Sequence, residues 1–357
     1  MKTTTPTLLL ALFAIFNSEL STAFAQGSLT PPGAPAATMK TLSQIEPRTP
    51  ISSAPFTITS RGSYYLTTNL TVSSATAINI NTNDVTLDLN GFTISSTEAN
   101  PLGIGIGINN FPLRNIRIFN GHIRGSVTNN NGVYMGPGFA TGIAGAPEST
   151  LISHVTVTGC LNEGISLSGE STTVESCTVQ TVGHFGIWAA TVNDCSVIDC
   201  GNDAIIADNA FNSRGESYAG LGISCLVSAM NCYGRSGSMA GIFATMTQNC
   251  WGISTNAVGL SAFTVQNSYG YSYTAAGLNA NNVQNCYGIC AGSDYGLYSA
   301  YTAIGCYGQS GTGIGLSAIV ANNCVGSSSG TAIQATIGIG CYAVAGTNII
   351  TNKYNMP

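Results

Sequence analysis

The chain has 357 residues, only 7% of them charged, and a formal net charge of -5 at pH 7, where roughly 25% charged residues is usual. So few Lys and Arg leave no basic stripe to neutralise a phosphate backbone, which argues against nucleic acid as a partner and serves acidic polysaccharides poorly. With 43 Gly, and with Asn, Ser and Thr in the turns, the composition predicts a polar but almost uncharged surface.

Lys2, the apolar run from Leu8 to Phe16 and the small-residue pattern Ala23-Phe24-Ala25 before Gln26 read as a secretory signal peptide over residues 1–25. The run is far shorter than the ~20 residues a span needs, and no later segment is long and apolar enough to be one. The expectation is a secreted, periplasmic or cell-surface protein with no transmembrane span after cleavage. Residues 26–38, with Pro31, Pro32 and Pro35, read as a Pro-rich linker. Residues 39–76, including the strand-like SYYLTTNLTV from Ser63 to Val72, are expected to cap the first coil, because an open sheet end invites aggregation. From residue 77 to 357 the repeat proper is expected, with Lys353 and Pro357 blunting the far end; capped ends favour a monomer.

Strands show as alternation. In VTLDLNGFTI, Val85, Leu87, Leu89 and Ile94 face one way and Thr86 and Asp88 the other, with a turn at Asn90-Gly91. Ile116, Ile118 and Ile123 repeat the pattern around Asn120-Gly121, and Val155 and Val157 follow. Then one slot recurs as Cys177, Cys195, Ser213, Cys232, Cys250, Ser268, Cys286, Cys306, Cys324 and Cys341, in steps of 18, 18, 19, 18, 18, 18, 20, 18 and 17 residues. A period near 18 with no helical pattern inside it means a stacked all-β solenoid of three strands per coil. The nine steps would span roughly 43 Å at the strand spacing of a sheet. The Cys slot is expected to continue the inward column of Leu87, Ile116 and Val155.

Usually ten residues after that slot comes a second inward column, Ile187, Ile205, Ile223, Ile242, Leu260, Leu278, Leu297, Leu316 and Ile333, followed two residues on by small residues such as Ala189, Ala207, Cys225 and Ala244. Just before the slot stand Asn212, Asn231, Asn249, Asn267, Asn285 and Asn323, residues that tolerate left-handed backbone and whose stacked amides can bond from coil to coil. Twelve Cys in an exported chain would ordinarily suggest disulfides. In-register side chains about 4.8 Å apart and parallel suit a bridge poorly, so buried free thiols are expected, with Cys195–Cys200 and Cys286–Cys290 the pairs to inspect. No CxxC pair or His cluster indicates zinc, and no cofactor is expected.

The outward neighbour of the Cys slot becomes aromatic at Tyr233, Trp251, Tyr269, Tyr287 and Tyr307. Such a stripe can stack sugar faces, or can be a self-stabilising ladder of rings. Catalytic groups are sparse, since from Ser236 to Asn352 only Asp294 is charged. Earlier, Glu163, His184 and Asp203 fall on successive turns, with the two carboxylates about 9.6 Å apart and His184 between them, near the ~6.5–9.5 Å of inverting glycosidases. Polar turns are the ordinary alternative. Asp199 and Asp208 lie nearby without a calcium loop, Asp88 and Arg117 are expected to form an exposed ion pair, and His122 and His154 read as turn or surface residues.

MKTLSQIEPRTPI, PFTITSRGSYYLTTNLTV, DVTLDLNGFTI and RNIRIFNGHIRG, with the later CYG and GLxA repeats, resemble bacterial exported right-handed parallel β-helix repeat proteins of the pectate-lyase-like superfamily. The resemblance implies the fold over nearly the whole mature chain and little about activity. The polygalacturonase-like acidic set, with its Gly-His-Gly and Arg-x-Lys elements, is missing, Gly201-Asn202-Asp203 being a faint echo, and the lyase pattern of calcium-binding carboxylates is not evident. The expected function is therefore a non-catalytic structural or carbohydrate-binding surface module for a polysaccharide or cell-surface glycan, the alternative being a polysaccharide hydrolase or lyase acting through Glu163, His184 and Asp203.

Overall fold

Strands of two to four alternating pairs, repeated every 18 residues, can satisfy their backbone groups only against the strand one coil on. That is what the computed structural model shows over the residues it describes, 47–109 and 112–356. The expected signal peptide, the linker and the start of the cap lie outside the described residues. Among the described residues there is no helix, hence none long and apolar enough to cross a membrane. Thirty-one strands join one sheet whose pairings are parallel between successive coils, a parallel β-helix.

The first paired strand is Thr49–Ile51, in register with Tyr64–Leu66 of the next coil. Phe56–Ile58 likewise pairs with Ile78–Ile80. The first strands expected within residues 39–76 are thus in register with the coils that follow. From there the second inward column is continuous: Phe56, Ile78, Ile106, Ile143 and Ile165 lead into Ile187 and onward to Ile333. Burying one such side chain fully is worth about 1.5–3 kcal/mol, so the column contributes substantially to the stability of the stack.

The strand beginning with this column bends instead of ending. In Ile242–Gln248, Ala244 pairs with Ala262 and Met246 with Thr264, leaving Thr245 unpaired at the bend. Two strand segments are therefore fused at a corner, and together with the Trp251–Ser254 type of strand they give three faces per coil. Two of the irregular steps of the repeat contain bulges: an extra residue at Leu226–Val227 between Cys225 and Ser228, and another at Ala300–Tyr301 between Ser299 and Thr302. Both put large side chains into solvent, Leu226 at 73% and Tyr301 at 53% exposure.

The Cys column does not descend from Leu87 and Ile116. Leu87 pairs with Ile118, and that line continues through Ile152 and Val174 to Val192 and Ala210. Cys177 instead follows Val155 and Gly121, because a left-handed residue at each corner shifts the alternation by one and puts the slots on adjacent faces. Ser176, Asp194, Asn212, Asn231, Asn249, Asn267, Asn285 and Asn323 all have φ between 47° and 54° or at 55°. Their amides form the expected ladder: Asn231 Nδ2 donates to Asn212 Oδ1 at 3.0 Å, and Asn249 Nδ2 to Asn231 Oδ1 at 3.1 Å.

All twelve cysteines are free and buried. Cys250 Sγ lies 3.2 Å from the carbonyl oxygens of Ala229 and Gln248. Where Ser268 takes the slot, its hydroxyl donates to Gln266 O at 2.7 Å and accepts from Cys250 N at 3.1 Å. Thiol and hydroxyl thus do the same work, which explains their interchange.

Two further columns explain the CYG and GLxA repeats. Gly234, Gly252, Gly270, Gly288 and Gly308 stand in register behind the aromatic slot, and a Cβ on Gly252 would lie 2.3 Å from Gly259 O. The two walls of the coil meet there with no room for a side chain. Next comes a buried serine column, Ser217, Ser236, Ser254 and Ser272. Ser254 Oγ donates to Met239 O at 2.6 Å and accepts from Ala257 N at 2.9 Å, tying each turn to the one before it.

Candidate functional site

The short turns before the second inward column carry the acidic residues and the histidine. Backbone bonds Gly142 N to Glu163 O, Gly164 N to Phe185 O and Gly186 N to Asp203 O put Glu163, Phe185 and Asp203 in one row. His184 belongs to the neighbouring row, between Asn162 and Asn202. The ring between the two carboxylates along the axis is thus Phe185, and His184 reaches them from the side.

His184 Nδ1 nevertheless comes to 3.9 Å from Glu163 Oε1, with its ring tilted against Phe185 at a centroid distance of 3.9 Å and Nε2 3.2 Å from Asn202 Nδ2. Glu163 Oε2 accepts from Thr141 Oγ1 at 2.7 Å. Asp203 Oδ1 accepts from Leu221 N at 2.7 Å. Burial pushes the Asp203 carboxyl above its ordinary value, partly offset by the Leu221 N–H and by His184. Each carboxylate therefore secures a neighbouring coil with one oxygen. His184 thus stands beside Glu163, and its charge also bears on Asp203.

The aromatic stripe is in register as expected: Tyr233, Trp251, Tyr269, Tyr287 and Tyr307 follow one another on successive coils. Tyr233 and Trp251 are edge-to-face at 6.1 Å and 65°, and Tyr287 and Tyr307 are tilted at 5.7 Å and 36°. Arg214 lies over the Tyr233 ring at 5.4 Å. Rings inclined in this way stabilise one another, and they do not offer a common flat face.

Asp88 pairs not with Arg117 but with Arg48, whose Nη1 lies 3.0 Å from Asp88 Oδ2. The register sets Arg117 opposite Thr86 and Phe119 opposite Asp88, and Arg117 lies over the Phe119 ring at 4.9 Å. Asp199 is likewise taken up by structure. It accepts from Asn129 Nδ2 at 2.6 Å, Tyr134 Oη at 3.1 Å and Thr181 Oγ1 at 2.8 Å, pinning the antiparallel hairpin Thr128–Asn130 and Val133–Met135 to the solenoid wall. Among the described residues no group of three or more His, Cys, Asp or Glu side chains converges as metal ligands would.

A concave surface absent from the sequence expectations runs along the bend of the fused strands. It is a groove of about 860 Å³ reaching from Leu167 to Asn281. Its floor is the small-residue column, Ala189, Ala207, Cys225, Ala244, Ala262 and Ala280. One wall carries Trp188, Ile206 and Phe243, the outward neighbours of the second inward column, and the other carries Asp208, Leu226, Thr245 and Phe263 at the bend. Trp188, Phe243 and Phe263 are 40%, 52% and 55% exposed. The groove crosses seven coils, roughly 29 Å at the interstrand spacing. The signal was present in the sequence as the recurring Ala two residues past each Ile or Leu, since small side chains beside large ones along one face leave a trough.

No family model matches the chain, and no curated protein does. Among solved structures, the A-modules of the Azotobacter vinelandii mannuronan C-5 epimerases AlgE6 and AlgE4 are similar at 8% and 12% identity. Both matches cover 83% of this chain, with 90% and 89% of theirs, at TM-scores of 0.30 and 0.29. A Geobacillus virus E2 protein, ORF18, matches at 13% identity over 84% of this chain and 54% of its own, with a TM-score of 0.23. Likeness of this degree carries no argument about this chain.

Proposed function

We propose that the protein is an exported carbohydrate-binding β-helix that holds an extended polysaccharide along the groove from Leu167 to Asn281 and does not turn it over. The observation that carries this reading is the uninterrupted trough over a small-residue floor with Trp188, Phe243 and Phe263 on its walls. An extended chain of sugar rings needs a long, shallow, mostly apolar channel with aromatic faces and side-chain hydroxyls or amides, and Ser224, Ser261 and Asn279 supply the latter. Export rests on the N-terminal pattern of Lys2, Leu8 to Phe16 and Ala23-Phe24-Ala25. The groove holds no His, Lys or Arg, which favours binding over proton transfer. Affinity electrophoresis of the mature chain in gels containing neutral polysaccharides tests the reading: retention that disappears in Trp188→Ala and Phe243→Ala supports it, and equal mobility with and without polysaccharide defeats it.

The approach of His184 to Glu163, with Asp203 one turn further on, favours a second reading as a polysaccharide hydrolase or lyase. It requires release of reducing or unsaturated ends that Glu163→Gln and Asp203→Asn abolish. Undiminished release in both variants removes that site.

A further inference from the structure

The groove is asymmetric along its length. At the end toward Asn279 and Asn281 its polar groups are neutral, whereas at the end toward Leu167 they include Glu170 and Asp208, its only charged residues. Both carboxylates are exposed, and among the described residues neither is hydrogen-bonded or ion-paired to another side chain. Trp188 stands at this same end. It pairs with Ile206 on the next coil, and Ala189 and Ala207 form the floor beside them. Asp208 follows Ala207 onto the opposite wall, so the indole and the carboxylates border one stretch of the trough.

Resting on the reading of the groove as a glycan channel, we infer that this end selects sugars bearing a free amino group, so that the ligand is a polymer containing unacetylated hexosamine. A hexosamine ring whose apolar face lies on Trp188 projects its ammonium across a floor of Ala side chains toward the carboxylates, and the indole face itself attracts a cation. No cationic side chain in the groove competes for Asp208 and Glu170. A polyuronate meets only like charge here and is repelled. An N-acetylated sugar keeps the stacking and loses the charge.

Binding of a glucosamine oligosaccharide and of its N-acetylated counterpart, measured calorimetrically on the mature chain at one ionic strength, tests this. Two exposed charge pairs predict roughly two- to thirtyfold tighter binding of the free amine, with the difference shrinking as salt is raised. In the double variant Glu170→Gln and Asp208→Asn the two ligands should bind alike. In Glu175→Gln with Asp194→Asn, which removes the same charge away from the groove, the preference should persist. Equal binding of the two ligands by the unaltered chain, or a preference that survives in the groove variant, overturns the inference and leaves the glycan channel standing. No binding of either ligand, together with no retention by any neutral polysaccharide, overturns both.

Discussion

Trp251 meets Tyr269 edge-on, with ring centroids 5.1 Å apart and planes inclined at 68°. The geometry is that of two rings satisfying each other's quadrupoles, and Trp251 makes a similar contact with Tyr233 on its other side. Each such pair is worth about 0.5–1.5 kcal/mol beyond its burial. Trp251→Ala should therefore cost about 1–3 kcal/mol in urea denaturation and leave glycan retention intact, whereas Trp188→Ala, which loses a single ring contact, with Phe185 at 6.2 Å and 77°, should cost about half as much and abolish retention. Loss of retention in Trp251→Ala with unchanged stability would make the stripe the binding face.

The corner asparagines predict a graded series. Asn249 has φ of 54°, and its amide bonds to Asn231. A left-handed residue with a Cβ is disfavoured by about 1–2 kcal/mol, and a lost hydrogen bond adds about 1 kcal/mol. Asn249→Ala should destabilise by about 2–3 kcal/mol, and Asn249→Gly by clearly less, because glycine restores the backbone but not the amide. Equal losses would mean that only the amide matters.

Gly252→Ala should be far more damaging than its one methyl suggests. The new Cβ would lie 2.3 Å from Gly259 O, on the opposite wall of the coil, and neither backbone can retreat without breaking its ladder. Overpacking of this kind costs about 3 kcal/mol or more, so the variant should be insoluble or lose a large part of its cooperative transition. Gly91→Ala, whose Cβ would meet nothing within 4 Å, should pay only for its φ of 75°.

Two of the buried thiols, Cys160 and Cys225, make stability fall on the alkaline side. Burial pushes Cys160 and Cys225 from the ordinary thiol value of 9.0 up to about 12. Below pH ~9 both folded and unfolded chains keep these protons; above it the unfolded chain alone releases them, so stability falls by about 1.4 kcal/mol per pH unit for each such thiol until the folded thiol ionises too. The contribution of these two thiols to the denaturation midpoint should be constant through neutral pH and fall away between pH 9 and about 12. Cys160→Ala should make that drop shallower, and an unaltered slope would contradict the account.

Asp199→Ala should loosen the hairpin and little else. Its carboxylate accepts from Asn129, Tyr134 and Thr181 at once, while the exposed tip residues Val133 and Met135 make no core of their own. Limited proteolysis should cut the variant between Asn130 and Met135 and spare the unaltered chain, with the thermal midpoint of the solenoid shifted little. Equal cutting rates would show that the Tyr134 side chain, lying against Gly183 with its Cβ and against Gly201 with its ring, is sufficient to hold it.

The sequence by itself determined the repeat, the inward Ile/Leu column, the asparagine ladder, the free thiols and the register of the aromatic stripe. These all depend on spacing, and in a parallel coil spacing fixes who stands above whom. Which columns share a face, and how side chains lean between rows, only the tertiary structure decided. The left-handed corners shift the alternation, so Leu87 leads through Ile118 and Ile152 to Val192 while Ile116 leads to Thr150 and Thr172, and neither leads to Cys195, and Asp88 finds Arg48 and not Arg117. Phe185 stands between Glu163 and Asp203 while His184 approaches from the side, because a turn offers two rows where the sequence shows one string. The groove belongs to the same class. Its Ala floor was legible as a column, but that the chain bends just beyond it, raising Trp188 on one side and Phe263 on the other, is a property of the corner, which no linear period contains.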